Sequence, residues 1–273
     1  MTRHSDASDP RESGPAGARG SVDTAREPPR TDGGRDRSPS GAVRPVDPVG
    51  EDDLPRLIAH RGFGGEYPEN TLTAFRQAAE RADVVEMDVR RCGSGELVVM
   101  HDETLERTTD GSGRVDETDL STLRDLDVLG TGEGVPTLAE ALDAVPPEVG
   151  VTVELKEDVV DDALPVLDVE NEVVVSAFDE SVLERVTDRG GPPTARTVLP
   201  GNRGAFEGAI ELGCSAVHPE RMNVFLFPDL VERAHRAGMA VNVWTVHERD
   251  DAARLAAEGV DGLTSDHPDV LEP

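Results

Sequence analysis

Carboxylates that could hold a metal ion stand near the ends of two short β-type runs. Glu86 and Asp88 lie in VVEMDV (84–89), and Glu154 lies in VTVEL (151–155). Glu86 and Asp88 are two residues apart, so both side chains point to the same side of a strand. Two carboxylates that face one way repel each other and need a cation. With Glu154 they would form a hard oxygen site suited to Mg²⁺ or Ca²⁺.

Basic side chains and histidines accompany these carboxylates. Arg61 can hold a phosphate oxygen in a bidentate manner, and Lys156, the only lysine of the chain, would act as a point charge. His60 and His101 are candidates for an acid/base pair, because imidazole titrates near neutrality without help. A cation, two basic side chains and two histidines together favour phosphoryl transfer.

Each of these residues also has an ordinary structural interpretation. A single Glu or Asp at a strand end is usually a solvated loop residue or a helix cap, and a single histidine or lysine is more often structural or on the surface. The joint pattern favours the functional interpretation, because all seven residues fall at predicted strand ends or on a hairpin beside one.

Short β-type runs alternate with helical stretches from Leu54 onward, which is typical of βαβ units with a parallel sheet. Eight parallel strands would close a TIM-type (β/α)8 barrel, an α/β fold whose active sites lie at the carboxyl ends of the strands. The predicted strands are 56–60, 84–89, 151–155, 172–178, 195–199, 215–218, 240–244 and 261–265. The predicted helices are 71–82, 137–144, 179–188, 204–212, 227–237 and 248–258.

One further β-type run, ELVVMH (96–101), follows the second strand through the connector CGSG (92–95). This connector is too short for a parallel crossover, which needs about a dozen residues. The run must therefore turn back antiparallel through a Gly-containing turn. Asp88 and His101 are equally far from the turn centre, so we expect them to lie opposite each other across the hairpin.

The charge balance excludes some classes of partner. The chain has 273 residues and a net charge of −29, which argues against nucleic acid or an anionic membrane surface as a partner. An acidic chain with a single lysine resembles proteins of salt-accumulating halophiles, whose self-repulsion is screened at molar salt, where the Debye length is about 3 Å. The alternative interpretation is an acidic interaction surface.

The sequence also predicts where the chain is folded and in which compartment it works. Residues 1–53 have almost no large apolar side chain, so we expect a disordered tail before a folded domain at 54–273. No apolar run approaches the roughly 18 residues that span a bilayer, and the N-terminus lacks the apolar core of a secretory signal. Cys92 and Cys214 form neither a disulfide framework nor a zinc pattern. We therefore expect a cytoplasmic protein without stable membrane insertion.

The motifs of 54–271 resemble, in order, those of the glycerophosphodiester phosphodiesterase family, within the phosphatidylinositol phospholipase C-like barrel superfamily. AHRGFGGEYPENTLTAF (59–75) is similar to the opening motif and VVEMDVRRCGSGELVVMHD (84–102) to the second. The later similar blocks are LERTTDGSGRV (105–115) with VPTLAEAL (135–142), VELK (153–156), VSAFD (175–179), VNVWTV (241–246) and GVDGLTSDHPDVL (259–271).

The resemblance implies a role for each candidate residue. His60 and His101 match catalytic histidines, and Glu86, Asp88 and Glu154 match the ligands of one divalent cation. The phosphate-binding positions are matched by Arg61 and Lys156. Glu69 matches a supporting acid near the first histidine, and Trp244 an aromatic residue that packs against the alcohol part of the substrate. The remaining histidines match no catalytic position: His218, His235, His247 and His267.

The resemblance also predicts two local features and shows two departures. Residues 103–135 correspond to a small insertion over the barrel mouth, after the hairpin of the second strand. The turn CGSG replaces the Asp-Gly that is usual in the family. The connection 157–171 is short and contains Pro165, so its helix is expected to be truncated or absent.

The implied reaction is metal-dependent hydrolysis of a small glycerophosphodiester to an alcohol and glycerol phosphate. One histidine would take a proton from the attacking hydroxyl, and the other would protonate the leaving oxygen. The sequence does not say which does which, nor whether water or a substrate hydroxyl attacks. A phospholipase D or phosphatidylinositol phospholipase C activity would favour a membrane-facing apolar rim; an aromatic content of 3% and the negative charge argue against it. A non-catalytic barrel would be favoured had a ligand or histidine been replaced, and none has.

Overall fold

A computed structural model describes residues 54–272, and the predicted disordered tail 1–53 lies outside the described residues. Eight parallel strands pair in sequence around a closed barrel, because the first strand pairs with both the second and the last. The TIM-type barrel is thereby confirmed. The strands are β1 (Arg56–Ala59), β2 (Val84–Arg91), β3 (Leu97–Val99), β4 (Gly150–Leu155), β5 (Val173–Ala177), β6 (Thr194–Val198), β7 (Ala216–Pro219), β8 (Ala240–Val243) and β9 (Gly262–Ser265).

Helices cover the outside of the barrel, and several of them begin at a side chain that accepts from a free N–H group of the first turn. The Thr71 hydroxyl accepts from Ala74 N, and Thr137 forms a capping box with Glu140. Within residues 54–272, no helix has the length and apolar character that crossing a bilayer requires. The helices are α1 (Leu72–Ala79), α2 (Leu120–Asp125), α3 (Leu138–Asp143), α4 (Val160–Val166), α5 (Glu180–Asp188), α6 (Arg203–Leu212), α7 (Arg221–Leu226), α8 (Leu230–Arg236) and α9 (Arg249–Ala257).

The helix predicted at 227–237 is wrong at its start. The chain forms α7, which the sequence analysis missed, and resumes as α8 at Leu230. The Glu220 carboxylate caps α7 by accepting from Met222 N. Phe227, with φ −123° and ψ 82°, ends α7 because it precedes Pro228, which disfavours the helical conformation of its neighbour. In the connection 157–171, the short α4 shows that the helix is truncated rather than absent.

The predicted register of the hairpin is wrong by one residue. β2 and β3 are antiparallel as expected, but Val89 pairs with Val99, so Asp88 lies opposite Met100 and not opposite His101. The cause is a three-residue loop at 93–95, closed by the hydrogen bond from Cys92 N to the Glu96 carbonyl. Gly95 has a φ of +104°, which favours glycine in such a loop.

The segment 103–135 packs a small apolar cluster of its own against the hairpin. Leu105, Leu123 and Val128 are almost completely buried there, together with Val98 and Met100 of the hairpin. This packing fixes the chain immediately before His101. The barrel wall has a separate and larger core between strands and helices.

Candidate active site

All but one of the predicted site residues line a single pocket at the carboxyl ends of the barrel strands, where side chains of parallel strands converge. The exception, Glu69, stands behind the pocket wall and pairs with Arg61. The charged and aromatic lining comprises His60, Arg61, Glu86, Asp88, His101, Glu154, Lys156, Phe178, His218 and Trp244.

The predicted metal ligands come from two neighbouring strands. Asp88 on β2 is directly beside Glu154 on β4, and Glu86 lies one layer deeper. Burial and the charge of Asp88 raise the pKa of Glu86 to about 7. Burial alone would also raise the pKa of Asp88, but Lys156 and Arg61 outweigh it and hold that pKa below its usual value.

Asp88 is held by two ion pairs and one hydrogen bond. Lys156 Nζ is 2.7 Å from Asp88 Oδ1 and also contacts Glu154. On the other side, Arg61 Nε is 3.2 Å from Asp88 Oδ2, and Asn70 Nδ2 donates to the same oxygen over 2.9 Å. Asn70 follows Glu69 in the PENT run and was not among the residues predicted for the site.

The three candidate metal ligands, Glu86, Asp88 and Glu154, are all carboxylates, which suit a hard divalent cation. Burial, together with the negative charges of Asp88 and Glu154, raises the pKa of Glu86, and a bound cation would favour its charged form. Among residues 54–272, no three His, Cys, Asp or Glu side chains are already arranged as a metal site. Lys156 stands between Asp88 and Glu154 in this conformation, so a cation would compete with its ammonium for their oxygens.

His60 follows β1 and is paired with an acid from the far end of the chain. Its Nδ1 lies 2.7 Å from Asp266 Oδ1, just beyond β9. Burial alone would lower the pKa of His60, but the hydrogen bond to Asp266 and the charge of Glu86 raise it above the ordinary value. Asp266 was not among the predicted site residues, although the position of SDHP at the end of the last strand could have indicated it. His247 Nδ1 lies 3.3 Å from the other oxygen of Asp266.

His101 has its own carboxylate partner but the opposite electrostatic environment. Its Nδ1 lies 2.6 Å from Asp102 Oδ1. Burial and the charge of Lys156 outweigh the two nearby aspartates and lower the pKa of His101 below the ordinary value. Arg90 Nε donates to the His101 carbonyl over 2.9 Å, which holds this part of the backbone in place.

The backbone after β1 takes a left-handed path that shapes the pocket. Arg61 has a φ of 53°, and its N–H donates to Glu86 Oε2 over 2.8 Å while its guanidinium reaches Asp88. Gly62 follows with a φ of 77°, and a Cβ there would stand 2.9 Å from Ala74 Cβ. The HRG motif therefore requires its glycine both for conformation and for packing on α1.

Two aromatic side chains also line the pocket, Phe178 after β5 and Trp244 after β8. Trp244 Nε1 donates to the His218 carbonyl over 2.7 Å, and its ring meets Phe178 edge to face, with 5.9 Å between centroids. His218 is buried beneath them, and burial lowers its pKa to about 4. It is therefore neutral near pH 7.

Arg107, in the segment 103–135, joins two acids of the site. Its Nη1 and Nη2 donate to Glu69 over 2.7 and 2.8 Å, and its Nε donates to Asp102 over 2.5 Å. Glu69 also accepts from Arg61 Nη1 over 3.0 Å. Glu69, the acid expected near the first histidine, thus pairs with two arginines. Arg107 connects Glu69, the partner of Arg61, to Asp102, the partner of His101.

We expect Arg107→Gln to lower kcat by about 10- to 100-fold, because a small displacement of positioned groups is enough for such a loss. Arg114→Gln is the matched control. Arg114 lies in the same segment, pairs with Glu103 and Asp116, and is 44% exposed against 46% for Arg107. It should leave kcat within about twofold, as for other exposed ion pairs. Steady-state assays and thermal melts of both variants check this; equal losses in the two would contradict a positioning role.

Comparison with known proteins identifies the family. A model of the glycerophosphoryl diester phosphodiesterase family matches residues 60–195 and 192–270. A glycerophosphodiester phosphodiesterase of Caldanaerobacter subterraneus is 33% identical over 79% of this chain and 95% of its own length. A probable glycerophosphodiester phosphodiesterase of Mycobacterium tuberculosis is 31% identical over 78% of this chain and 90% of its own.

Solved structures agree with the sequence comparisons. An Oleispira antarctica phosphodiesterase in complex with the product sn-glycerol-3-phosphate superposes with a TM-score of 0.74 at 29% identity, covering 81% of this chain and 98% of that one. The barrel with its carboxylate and histidine pocket, the matching family model and relatives aligned over nearly their full length lead to one assignment. This chain belongs to the glycerophosphoryl diester phosphodiesterase family.

Proposed function

We propose that this protein hydrolyses glycerophosphodiesters to an alcohol and glycerol phosphate. The observation that carries the proposal is the convergence, in one pocket, of two histidines, three carboxylates, Arg61 and Lys156. The related Oleispira phosphodiesterase, whose structure contains sn-glycerol-3-phosphate as its product, supports glycerol phosphate as the product here.

We infer that Glu86, Asp88 and Glu154 bind one divalent cation, Mg²⁺ or Ca²⁺. A bound cation supplies positive charge against the phosphate oxygens. Arg61, whose guanidinium lies on the pocket wall, would hold one phosphate oxygen, and the Lys156 ammonium would face another. Both side chains remain charged, since the surrounding acids raise the pKa of each despite burial. They offset the charge that develops on the phosphate in the transition state.

His101 is the proposed general base and His60 the proposed general acid. The lowered pKa of His101 favours its neutral form, which can accept a proton from the attacking hydroxyl, whether of water or of the substrate. The raised pKa of His60 favours its protonated form, which can donate to the leaving oxygen. Asp102 and Asp266 occupy the Nδ1 positions, which leaves both Nε2 atoms for the reaction.

A headgroup panel tests the function. The 273-residue chain is incubated with glycerophosphocholine, glycerophosphoethanolamine and glycerophosphoglycerol, and released glycerol phosphate is measured by a coupled assay. We expect release that EDTA abolishes and that added Mg²⁺ or Ca²⁺ restores, because a cation must balance three carboxylates. EDTA presaturated with the cation is the control.

Other outcomes of this assay distinguish the alternatives. Phosphocholine in place of glycerol phosphate would indicate the phospholipase C type of cleavage. Full turnover after metal stripping would contradict the cation assignment while leaving the hydrolysis intact. No product from any diester would contradict the proposed function itself.

A further inference from the structure

Exposed large apolar side chains concentrate on one half of the pocket mouth. Phe178 follows β5, Leu199 follows β6, and Met222 and Leu226 lie on α7 after β7. Their exposed fractions are 39%, 50%, 40% and 56%. In residues 54–272 only two other large apolar side chains are comparably exposed, Leu54 and Leu129. Single exposed apolar residues are ordinary, but four that follow successive strands around one pocket are not scattered.

Hydrogen bonds show that these side chains belong to adjoining segments. Trp244, whose ring contacts Phe178, accepts through its carbonyl from Arg221 N, the first residue of α7, over 2.9 Å. Farther along α7, Asn223 Nδ2 donates to the Leu199 carbonyl over 3.1 Å. We call Phe178, Leu199, Met222, Leu226 and Trp244 together the apolar rim. Met222 and Leu226 are four residues apart, so they share one face of α7.

The other half of the mouth has the opposite character. It carries His101, Asp102, Arg107 and Arg61, all engaged in charged hydrogen bonds. Lys156 marks the boundary, with Nζ 5.8 Å from the centre of the Phe178 ring. The apolar rim thus begins where the proposed phosphate-binding residues end. An apolar substituent of a ligand held at the phosphate site would therefore be within reach of the rim.

We propose that the apolar rim binds a hydrocarbon chain carried by the diester, so that single-chain amphiphilic glycerophosphodiesters are substrates. This rests on the proposed function and names the substrate class. The chain could be an acyl group on the glycerol or part of a long-chain leaving alcohol. A single amphiphile suits the rim better than an anionic membrane surface, because the net charge of −29 would repel the latter.

Two substrate series test the proposal. One carries acyl groups of increasing length on the glycerol of glycerophosphocholine and is followed by the choline released. The other carries n-alkyl leaving alcohols and is followed by the glycerol phosphate released; both extend to about ten carbons. A fully buried methylene strengthens binding by about fourfold. Partial burial on an open rim should therefore lower KM by about tenfold or more across one series, with kcat nearly unchanged. The series in which KM falls with chain length shows which end of the substrate bears the chain that binds the rim.

The double variant Leu199→Ser/Leu226→Ser assigns the effect to the rim. It should raise KM for the long-chain substrate by about tenfold and leave KM for glycerophosphocholine unchanged, because neither side chain lines the pocket. Leu129→Ser is the matched control, since Leu129 is 49% exposed but lies in the segment 103–135. It should change neither KM.

Each remaining outcome overturns the proposal. If wild-type protein hydrolyses glycerophosphocholine but KM is independent of chain length, the rim binds no chain, while the proposed function stands. If no diester is hydrolysed, the proposed function fails first. If KM is independent of chain length and the protein sediments with phosphatidylcholine vesicles, the rim binds a membrane and not a single chain. A dimer that dissociates in the double variant, seen by size-exclusion chromatography, would assign it to a second copy.

Discussion

His101→Asn is expected to lower kcat for glycerophosphocholine by about 10²- to 10⁴-fold, the usual contribution of a positioned acid or base. The more specific result concerns the pH profile of kcat/KM, measured from about pH 5 to 9. The wild-type profile should rise on the acid side of pH 6.5, where His101 loses its proton, and fall on the basic side, where His60 loses its own. His101→Asn should abolish the rise, and His60→Asn should abolish the fall.

Two further variants make the assignment of acid and base decisive. Asp266→Asn weakens the interaction that raises the pKa of His60, so the fall should move to lower pH while the rise stays in place. His235→Asn is the control, because His235 pairs with Asp261 over 2.8 Å outside the pocket, and it should leave the profile unchanged. If His101→Asn removed the fall instead, the two histidines would exchange roles.

The barrel was predictable because its signals are local. Each predicted strand of the barrel has an observed counterpart whose ends differ by at most two residues, since short buried β-branched runs alternate with capped helices. The boundary that failed, at 227–237, depended on how Glu220 and Pro228 divide one apolar stretch into two helices. The hairpin register failed by one residue because the composition of the connector CGSG does not show which of its residues stay paired; Cys92 pairs with Glu96 and leaves a loop at 93–95.

Pairing between distant side chains was not predictable in the same way. Asp266 is 206 residues from His60, and Arg107 is 38 residues from Glu69; only the closed barrel and the packed segment 103–135 bring them together. Composition also does not indicate where particular side chains lie in the fold. An aromatic content of 3% argued against an apolar mouth, yet the fold gathers Leu199, Leu226 and Phe178 at one side of it. Salt adaptation, a disordered tail and a cytoplasmic location stay predictions.

Lys156 shows how sequence and structure assign different partners to one side chain. The sequence analysis predicted a phosphate contact, whereas the structure places the ammonium against Asp88 and Glu154, with the side chain only 9% exposed. Burial alone would lower the pKa of Lys156, but these two carboxylates raise it. Either role, on phosphate or between carboxylates, requires a compact charge that can point three donors in different directions.

Lys156→Arg should therefore lower kcat by about 10²- to 10³-fold, the usual loss when one preorganised contact to a transition state is removed. A planar guanidinium is larger and directional, and it cannot occupy the position that Nζ takes 2.7 Å from Asp88. The positive charge is kept, so Asp88 and Glu154 stay compensated and a cooperative thermal melt should remain.

Turnover on the best diester of the panel is measured beside Arg91→Lys, the reverse exchange at an arginine that is 41% exposed and pairs with Asp162. That control should be within about twofold of wild type. Normal turnover in Lys156→Arg would leave phosphate binding to Arg61 alone. The single lysine of this chain would then have no role that arginine could not fill.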